Sequence, residues 1–325
     1  MNDTNKVPVL ETRNLKKYFK VPNGMLHAVD DINIKIYKQN TLGVVGESGC
    51  GKSTLGRTIL NLIEPTSGEI LFEGKDIMKY NRQQKKQMCR DMQMIFQDPY
   101  SSINPRMSVA EIIAEFMIVQ KTYATKAEAY QRAAELMDIV GLARRYANSY
   151  PHELDGGRRQ RIGIARALSL NPKFIVCDEP VSALDVSIQA QILNLLMDLQ
   201  DELGLTYMFI THDLSVVKHI STNIMVMYLG QCIEFCESER LFENPLHPYT
   251  KALLAAIPEP DISKRYETIN AIRGEVSNPI NPPAGCRFAA RCEHATERCR
   301  MVTPETIEAE AGHYVACHAC MDIEK

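Results

Sequence analysis

Apolar runs rich in β-branched residues alternate along this chain with longer amphipathic stretches. The alternation predicts an α/β domain built on a largely parallel sheet. The strand candidates are residues 42–45, 92–96, 174–177, 207–210 and 224–228. Between the second and the third lies a mostly helical stretch, about 109–147, that is unusually long for a simple crossover. We therefore expect an inserted helical subdomain there, with bounds of about 98–165.

Length, charge and hydropathy narrow the class of protein. A length of 325 residues suits one large domain and an appendage, and an apolar content of 45% is enough to bury a sizeable core. The net charge of −3 lacks the strong basic excess that is typical of nucleic-acid-binding proteins. No segment approaches the ~20 consecutive apolar residues that cross a bilayer, and the first residues lack the apolar region of a secretory signal. We expect a cytoplasmic protein that reaches a membrane only through partners.

Residues 46–54 read GESGCGKST and fit G-x-x-x-x-G-K-[ST], between an apolar strand and a helix. Glycines let backbone N–H groups point at phosphate oxygens, and the helix adds its positive end. Lys52 would bind the β- and γ-phosphates, and Ser53 would ligate Mg²⁺. The predicted nucleotide contacts in this loop are Gly46, Ser48, Gly49, Cys50, Gly51, Lys52, Ser53 and Thr54.

The apolar run at 174–177 ends in two carboxylates, Asp178 and Glu179, at the strand end where α/β sheets bind ligands. We expect Asp178 to hold the Mg²⁺ shell through water. Glu179 would polarise the water that attacks the γ-phosphate. Alone, such a pair is equally consistent with a structural cap, and its weight comes from the loop upstream.

Further motifs decide among the proteins that carry a phosphate loop. LDGGRRQR at 154–161, before an Ala-rich helix, resembles the signature of ABC ATPases, which is usually LSGGQ. Ser182-Ala-Leu-Asp185 resembles their D-loop, Gln97 their Q-loop glutamine and His212 their switch histidine. Phe19, or alternatively Tyr18, resembles the aromatic residue that stacks on adenine. The motifs occur in the family's order over residues 14–235.

The resemblance implies a RecA-like P-loop core with an antiparallel β subdomain, within an ATPase domain at 1–257. Gln97 would contact Mg²⁺ as well as act in catalysis with Glu179 and His212. The implied nucleotide contacts outside the phosphate loop are Phe19, Asp155, Gly156, Gly157, Arg158, Asp178 and Asp185.

Three segments resemble the oligopeptide, dipeptide and nickel import ATPases more closely, and the resemblance covers essentially the whole chain. They are FQDPYSSINPR at 96–106, NPLHPYTKALL at 244–254 and GEVSNPINPPAGC at 274–286. The resemblance implies an ATP-hydrolysing subunit, peripheral on the cytoplasmic face of the cell membrane, that energises uptake of peptides or a similar small solute. The implied partners are a second, different ATPase subunit, two permease subunits that meet the Gln97 segment, and an external solute-binding protein.

The signature departs from the family pattern, because Asp155 stands for the usual Ser and Arg158 for the usual Gln. In this family each signature completes the partner's ATP site. A hydrogen bond from a serine hydroxyl to the charged γ-phosphate contributes roughly 1.5–3 kcal/mol to its binding. An ionised Asp instead repels the phosphate, by on the order of 4 kcal/mol. We expect the partner's site to hydrolyse poorly unless Asp155 turns away from the phosphate, although Arg158 would offset part of the charge. The alternative is that the family tolerates LDGGR without consequence.

A shift toward Pro, Asn and Ser around 258–283 indicates a linker, and five of the ten cysteines follow it. We therefore separate residues 258–325 as a Cys-rich extension. Cys286, Cys292, Cys299 and Cys317 suit a zinc ion or an iron–sulfur cluster. The resemblance to import ATPases with such tails implies [4Fe–4S], with Zn²⁺ as the alternative. Cys320 is a spare thiol, and His313 and His318 are substitute ligands.

Free structural thiols are a further alternative for the tail. We disfavour them, because the residues around the cysteines make no apolar context for burial; these residues are Gly285, Arg291, Glu293 and Glu297.

Two other functions compete with the importer subunit. One is a soluble ABC ATPase that acts on nucleic acid or ribosomes, and such proteins typically carry two cassettes or long coiled-coil insertions. The other is a weakly hydrolysing regulatory subunit, which the intact Glu179 and His212 argue against and Asp155 favours.

Overall fold

The computed structural model describes residues 7–257 and 279–321, which fall into two compact units. The first unit contains residues 7–9, 37–40 and 75–209. The second unit contains residues 10–36, 41–74, 210–257 and 279–321. Most of the predicted linker around 258–283 lies outside the described residues.

The strands, in chain order, are β1 (Leu10–Val21), β2 (Gly24–Ile36), β3 (Thr41–Val45), β4 (Ser67–Phe72), β5 (Lys75–Asp76), β6 (Met92–Ile95), β7 (Phe174–Asp178), β8 (Thr206–Ile210), β9 (Asn223–Tyr228), β10 (Gln231–Glu237), β11 (Ile307–Glu310) and β12 (His313–Val315). The helices are α1 (Lys52–Ile59), α2 (Arg82–Asp91), α3 (Pro99–Ser102), α4 (Val109–Gln120), α5 (Lys126–Ile139), α6 (Gly156–Leu168), α7 (Val186–Leu203), α8 (Leu214–Ile220), α9 (Ser238–Glu243), α10 (Pro248–Ala255), α11 (Glu297–Met301) and α12 (His318–Met321).

All five strands predicted from the hydrophobic pattern are confirmed as β3, β6, β7, β8 and β9, each within one residue at either end. Every residue of β3, β7 and β8 is buried. Strands covered on both faces are continuously apolar, and that pattern made them recognisable.

The second unit contains two sheet portions. In the antiparallel one, β1 lies between β2 and β4, and Leu10 pairs with both Ile36 and Phe72. In the other, the order is β3-β9-β10-β12-β11, where only β3 and β9 run parallel. The C-terminal hairpin of β11 and β12 therefore extends the sheet portion that also contains the strand before the phosphate loop.

The first unit carries β8-β7-β6, with β6 and β7 parallel from Met92–Phe174 to Ile95–Cys177. Helices α3 to α6 lie between β6 and β7, and α4, α5 and α6 pack against one another. Capping boxes begin α4 at Ser108 and α5 at Thr125, so sequence determines where both helices start. Because these helices share a compact unit with the strands, the subdomain bounds of 98–165 stay a prediction.

None of the helices in the described ranges combines the length and the apolar character that crossing a bilayer would require.

A buried carboxylate ties the C-terminal hairpin to the second unit. Glu234, on β10, is fully buried and accepts hydrogen bonds from the backbone N–H groups of Leu246 at 2.7 Å and His247 at 2.9 Å. His313 Nε2, on β12, lies 2.8 Å from Glu234 Oε1. Burial raises the pKa of Glu234, whereas the hydrogen bonds from His313 and from the backbone lower it. The lowering is the larger effect, so the pKa lies below the usual 4.5.

We predict that Glu234→Gln lowers the free energy of unfolding by about 1–3 kcal/mol at neutral pH, because an amide NH₂ would face a donor. A depressed pKa stabilises the fold fully above pH 4.5, and the contribution disappears as the pH falls through the folded-state pKa. The difference from wild type should therefore shrink on acidification, as measured by denaturant unfolding at several pH values.

The exposed Glu243→Gln, on α9, is the matched control and should show no such difference. A gap between Glu234→Gln and wild type that stays constant down to pH 3 would contradict the assignment.

Candidate nucleotide site

The predicted phosphate loop, 46–54, joins β3 to α1. A Cβ atom at Gly46 would come within 2.2 Å of the Met227 carbonyl oxygen, and one at Gly51 within 2.0 Å of the Ala28 carbonyl oxygen. Both glycines have a positive φ, 149° and 106°, which side chains disfavour. Any larger residue at either position would displace the backbone beside it.

Lys52 opens α1 and is 4% exposed. Its ammonium donates to the carbonyl oxygens of Gly46 at 2.7 Å and Glu47 at 3.0 Å. Because burying an ammonium group is costly unless it is hydrogen-bonded, these two carbonyls hold the charge at the loop.

The other predicted loop contacts differ in exposure. Ser48 and Gly49 are exposed, whereas Ser53 and Thr54 are partly buried in the first turn of α1. Burial raises the pKa of the Cys50 thiol. Cys50 is therefore neutral at physiological pH, and the lysine supplies the positive charge of the loop.

The first unit brings two predicted catalytic residues together. Glu179 follows buried Asp178 at the end of β7, and its Oε2 accepts a hydrogen bond from Gln97 Nε2 at 2.9 Å. Glu179 also has φ 47°, a conformation that costs a non-glycine residue roughly 1–3 kcal/mol and clusters at functional sites. This strained carboxylate bonded to Gln97 is the best candidate for a catalytic group.

The two signature glycines lie against the segment that resembles a D-loop. A Cβ at Gly156 would lie 3.1 Å from Leu184 Cδ2, and one at Gly157 would lie 2.7 Å from Ile188 Cγ2. Asp185, between these apolar residues, is exposed at the start of α7. The signature and the predicted D-loop are thus packed together inside the first unit.

Asp155 is the N-cap of α6. One carboxylate oxygen accepts the Arg158 backbone N–H at 2.8 Å, and the other lies 2.5 Å from Arg158 Nη1. The Arg158 guanidinium also lies 5.0 Å from the Tyr146 ring centre. Asp155 is held by its own helix and partly neutralised there, as the sequence analysis allowed.

The structure distinguishes between the two aromatic candidates for adenine. The Tyr18 hydroxyl donates to Asp30, and its ring stacks on His27 with centroids 3.9 Å apart. Phe19 is partly buried, and the Lys17 ammonium lies 4.8 Å from its ring centre. Phe19 is therefore the better candidate, because both the ring and the hydroxyl of Tyr18 are engaged.

His212 is exposed just beyond β8, and Asp213 caps the next helix by accepting the Ser215 N–H at 2.8 Å. His212, Phe19 and the phosphate loop belong to the second unit, whereas Gln97, Glu179 and the signature belong to the first. Their joint use of one nucleotide is part of the proposal below.

The tail cysteines lie near one another. Burial raises the pKa of Cys286 to about 11, and the neighbouring thiols of Cys317, Cys299 and Cys292 add to the shift. Cys286 and Cys292 pack against an apolar cluster of the second unit, so the expectation of no apolar context was wrong.

The candidate substitutes have other partners. His313 is bonded to Glu234, the His318 Nε2 lies 2.9 Å from the Val302 carbonyl oxygen, and a hydrogen bond from Cys320 lowers the pKa of Cys317. Within residues 7–257 and 279–321, no three His, Cys, Asp or Glu side chains are arranged to hold a metal ion. The predicted metal site therefore has no support from the geometry.

Two residues that hold Glu47 in the loop, Tyr249 and Arg291, were not predicted from the sequence. Its backbone N–H donates to Tyr249 Oη at 2.9 Å, and its carboxylate pairs with Arg291 at 2.7 Å. The only sequence signal was the segment NPLHPYTKALL, which contains Tyr249 and was noted without a role.

The amino-acid sequence of the chain is similar to those of ABC transporter proteins along nearly its whole length. Residues 29–182 match the ABC transporter family model, and residues 233–299 match the oligopeptide/dipeptide transporter C-terminal region. The chain is 49% identical over 322 residues to the putative oligopeptide transport ATP-binding protein YkfD of Bacillus subtilis, with 98% of each chain covered. It is 49% identical over 323 residues to the oligopeptide transport ATP-binding protein OppF of Haemophilus influenzae, with 96% of this chain and 97% of OppF covered.

The chain belongs to the ABC transporter family.

Solved ABC cassettes share its fold. The ATP-binding cassette MJ0796 bound to ADP and Pi aligns with a TM-score of 0.64 and 29% identity, over 70% of this chain and 98% of that one. CbiO1 from Clostridium perfringens aligns with a TM-score of 0.65 and 28% identity, over 74% of this chain and 92% of that one. The predicted fold class, a P-loop core with an antiparallel β subdomain, is confirmed for this ABC ATPase.

We predict opposite effects of alanine at two glycines of α6. Gly157→Ala should lower the melting temperature, because the added methyl group would clash with Ile188 and the overpacking would cost about 1–3 kcal/mol. Gly163→Ala should leave it unchanged or raise it, because nothing lies within 4 Å of that Cβ and alanine favours helix by roughly 0.5–1 kcal/mol. Differential scanning fluorimetry makes the comparison, and equal shifts in the two variants would contradict the close packing at Gly157.

Proposed function

We propose that this ABC family member is the ATP-hydrolysing subunit that energises import of oligopeptides or a similar small solute. The observation that carries the ATPase is the phosphate loop, whose glycines pass beside backbone carbonyls and whose buried lysine opens α1. The solute class is supported by likeness over nearly the whole chain to relatives named as oligopeptide transport ATP-binding proteins.

Each loop residue has a role in this proposal. The N–H groups of 48–54 and the end of α1 bind phosphate oxygens, and the Lys52 ammonium, positioned by the carbonyls of Gly46 and Glu47, donates to the β- and γ-phosphates. Phe19 stacks on the adenine. The signature at 155–158 and Asp185 act on the ATP held by the partner ATPase.

The residues predicted to hold Mg²⁺ carry the oxygen donors that this ion prefers: the Ser53 hydroxyl, the Gln97 amide and, through water, the carboxylate of Asp178. Asp178 is 1% exposed at a strand end, a place where a carboxylate suits a cation. Bound Mg²⁺ would supply charge neutralisation at the phosphates.

Glu179 acts as the base in this proposal, since it can polarise a water molecule while Gln97 fixes its carboxylate by the 2.9 Å hydrogen bond. His212 contacts the γ-phosphate and orients it. Phosphoryl transfer depends mainly on such positioning and charge stabilisation.

The proposed assembly contains a second ATPase subunit, different from this chain, two permease subunits and an external solute-binding protein. The segment that follows Gln97 meets the permeases. In this assembly the chain is peripheral on the cytoplasmic face of the membrane.

For the tail we propose a [4Fe–4S] cluster on Cys286, Cys292, Cys299 and Cys317, with Zn²⁺ as the alternative. The number and spacing of the tail cysteines, together with the likeness of the chain to import ATPases, carry this proposal, because the described side chains form no group that could hold a metal ion. The raised pKa of Cys286 opposes formation of the thiolate that a metal needs, and no step of the mechanism depends on the tail metal.

We predict that Glu179→Gln reduces ATP turnover of the assembled transporter by about 10²–10⁴-fold while ATP still binds, because the general base is lost. Phosphate release and ATP binding measure the two effects. Glu202→Gln, an exposed glutamate on α7, is the matched control and should retain turnover. Undiminished turnover in Glu179→Gln would remove Glu179 from the mechanism.

The signature supports an asymmetric pair of ATP sites. Asp155 and Arg158 are 58% and 44% exposed at their side chains, so their ion pair is worth little to folding. Serine is an equally good N-cap. Restoring Ser at 155 therefore changes the chemistry offered to the partner's ATP more than it changes helix α6.

We predict that Asp155→Ser with Arg158→Gln raises turnover at the partner's site by at least about tenfold, because a donor replaces a repelling carboxylate. The assay uses the full complex with this chain's own site blocked by Glu179→Gln. Turnover equal to that of the blocked complex without the restoration would favour the alternative that LDGGR is tolerated.

A further inference from the structure

Two arginines of the cysteine-rich tail contact other segments of the second unit. One is Arg291, whose Nη1 and Nη2 lie 2.7 Å and 3.0 Å from the two carboxylate oxygens of Glu47. Glu47 is the second residue of the phosphate loop, and 244 positions separate it from Arg291 in sequence. The geometry is the two-pronged pairing that only a guanidinium provides.

This pair is shielded from solvent. The side chains of Arg291 and Glu47 are 5% and 25% exposed, so water and salt weaken it less than an exposed pair. The Arg291 guanidinium lies 5.9 Å from the ring centre of Tyr228, within range of a cation–π contact. The hydrogen bond to Glu47 raises the pKa of Arg291, consistent with a strong contact.

Glu47 is held at its backbone as well as at its carboxylate. Its N–H donates to Tyr249 Oη at 2.9 Å, and its carbonyl oxygen accepts from Lys52 Nζ at 3.0 Å. The lysine predicted to bind the β- and γ-phosphates therefore depends for its position on a residue that the tail fixes.

Aromatic packing anchors the tail beside the loop. Phe288, 3% exposed, lies edge-on to Tyr228 and Tyr249, with ring centres 5.3 Å away in each case. Such pairs contribute about 0.5–1.5 kcal/mol beyond the area they bury. Because Phe288 lies three positions before Arg291, this anchor determines where the guanidinium can reach.

The second arginine, Arg287, is 6% exposed and contacts a different part of the unit. It donates to the carboxylate of Asp30 and to the Leu229 carbonyl oxygen. Asp30 also accepts the hydroxyl of Tyr18, the neighbour of Phe19. Arg287 therefore braces the strand that carries the proposed adenine contact, independently of Arg291.

We propose that the cysteine-rich tail sets the nucleotide affinity of this chain, with Arg291 as a positioning residue that holds Glu47, and through it Lys52, in the phosphate-binding geometry. The inference rests on the proposed role of residues 46–54 as the phosphate loop. It concerns the chain's own tail and needs no metal there.

The test measures ATP binding to the purified full-length chain, by calorimetry, for Arg291→Gln, Glu47→Gln and the double variant. We expect Arg291→Gln to weaken ATP binding about tenfold, as loss of a charged hydrogen-bond pair predicts. Arg291→Lys should lose less of the affinity for ATP than Arg291→Gln does, because lysine keeps the positive charge but cannot make the two-pronged contact with Glu47. The double variant should bind ATP no more weakly than whichever single variant has the lower affinity.

Three controls separate the explanations. Arg300→Gln removes the same charge from an exposed position of the tail and should bind ATP like wild type. Melting temperature distinguishes a positioning role from partial unfolding, because a variant that melts well above the assay temperature is fully folded when ATP binding is measured, so its weaker binding does not come from unfolded protein. In the assembled transporter, the KM for ATP should rise with a smaller change in kcat.

Lys52→Ala separates this inference from the proposed function. If Lys52→Ala abolishes ATP binding and Arg291→Gln binds like Arg300→Gln, the inference is wrong and the proposed function stands. If Lys52→Ala binds ATP like wild type, the phosphate-loop assignment fails and the inference fails with it. Additive losses for Arg291→Gln and Glu47→Gln would also overturn the inference.

Discussion

Close approach between backbone segments at the phosphate loop is the constraint on which the nucleotide site depends. Gly46 passes beside a carbonyl of β9, and Gly51 passes beside a carbonyl of β2. The Gly230 N–H, in the turn between β9 and β10, donates to the Cys50 carbonyl oxygen at 2.8 Å. The loop therefore takes its shape only when strands from both sheet portions of the second unit are in place, which makes nucleotide binding a property of the whole unit.

The sequence predicted what local pattern encodes. Strands such as β3 and β7 are continuous apolar runs because both faces are buried, and the phosphate loop follows a fixed spacing of glycine and lysine. Contacts between distant segments left no such pattern. Glu234 and His313 lie 79 positions apart, and Arg291 is one of several arginines in the tail, with no local pattern to mark it as the one that tertiary structure buries against Glu47. The misjudged surroundings of the cysteines have the same origin, since their apolar neighbours come from distant segments.

The signature illustrates a separation between folding and chemistry. Helix α6 needs an acceptor at its N-cap, and Asp155 meets that need through the Arg158 N–H at 2.8 Å. The glycines that follow are required by packing against Leu184 and Ile188. Folding thus constrains the glycines strictly and position 155 only loosely. In the proposed pair of ATPases, a substitution there would alter the partner's ATP site while the chain that carries it folds unchanged.

The tail contacts the phosphate loop through the short stretch between Cys286 and Cys292. This stretch is too short for one end to move without moving the other. Cys286 and Cys292 bracket the stretch that carries Arg287, Phe288 and Arg291. Whatever fixes the two thiols also restricts the backbone from which both arginine side chains extend, because few backbone torsions separate the two cysteines. Buried ion pairs and aromatic contacts tolerate little displacement, so a small change at the cysteines would be felt at Glu47. The bidentate contact of Arg291 with Glu47 is the point at which a displacement of the tail would reach the phosphate loop.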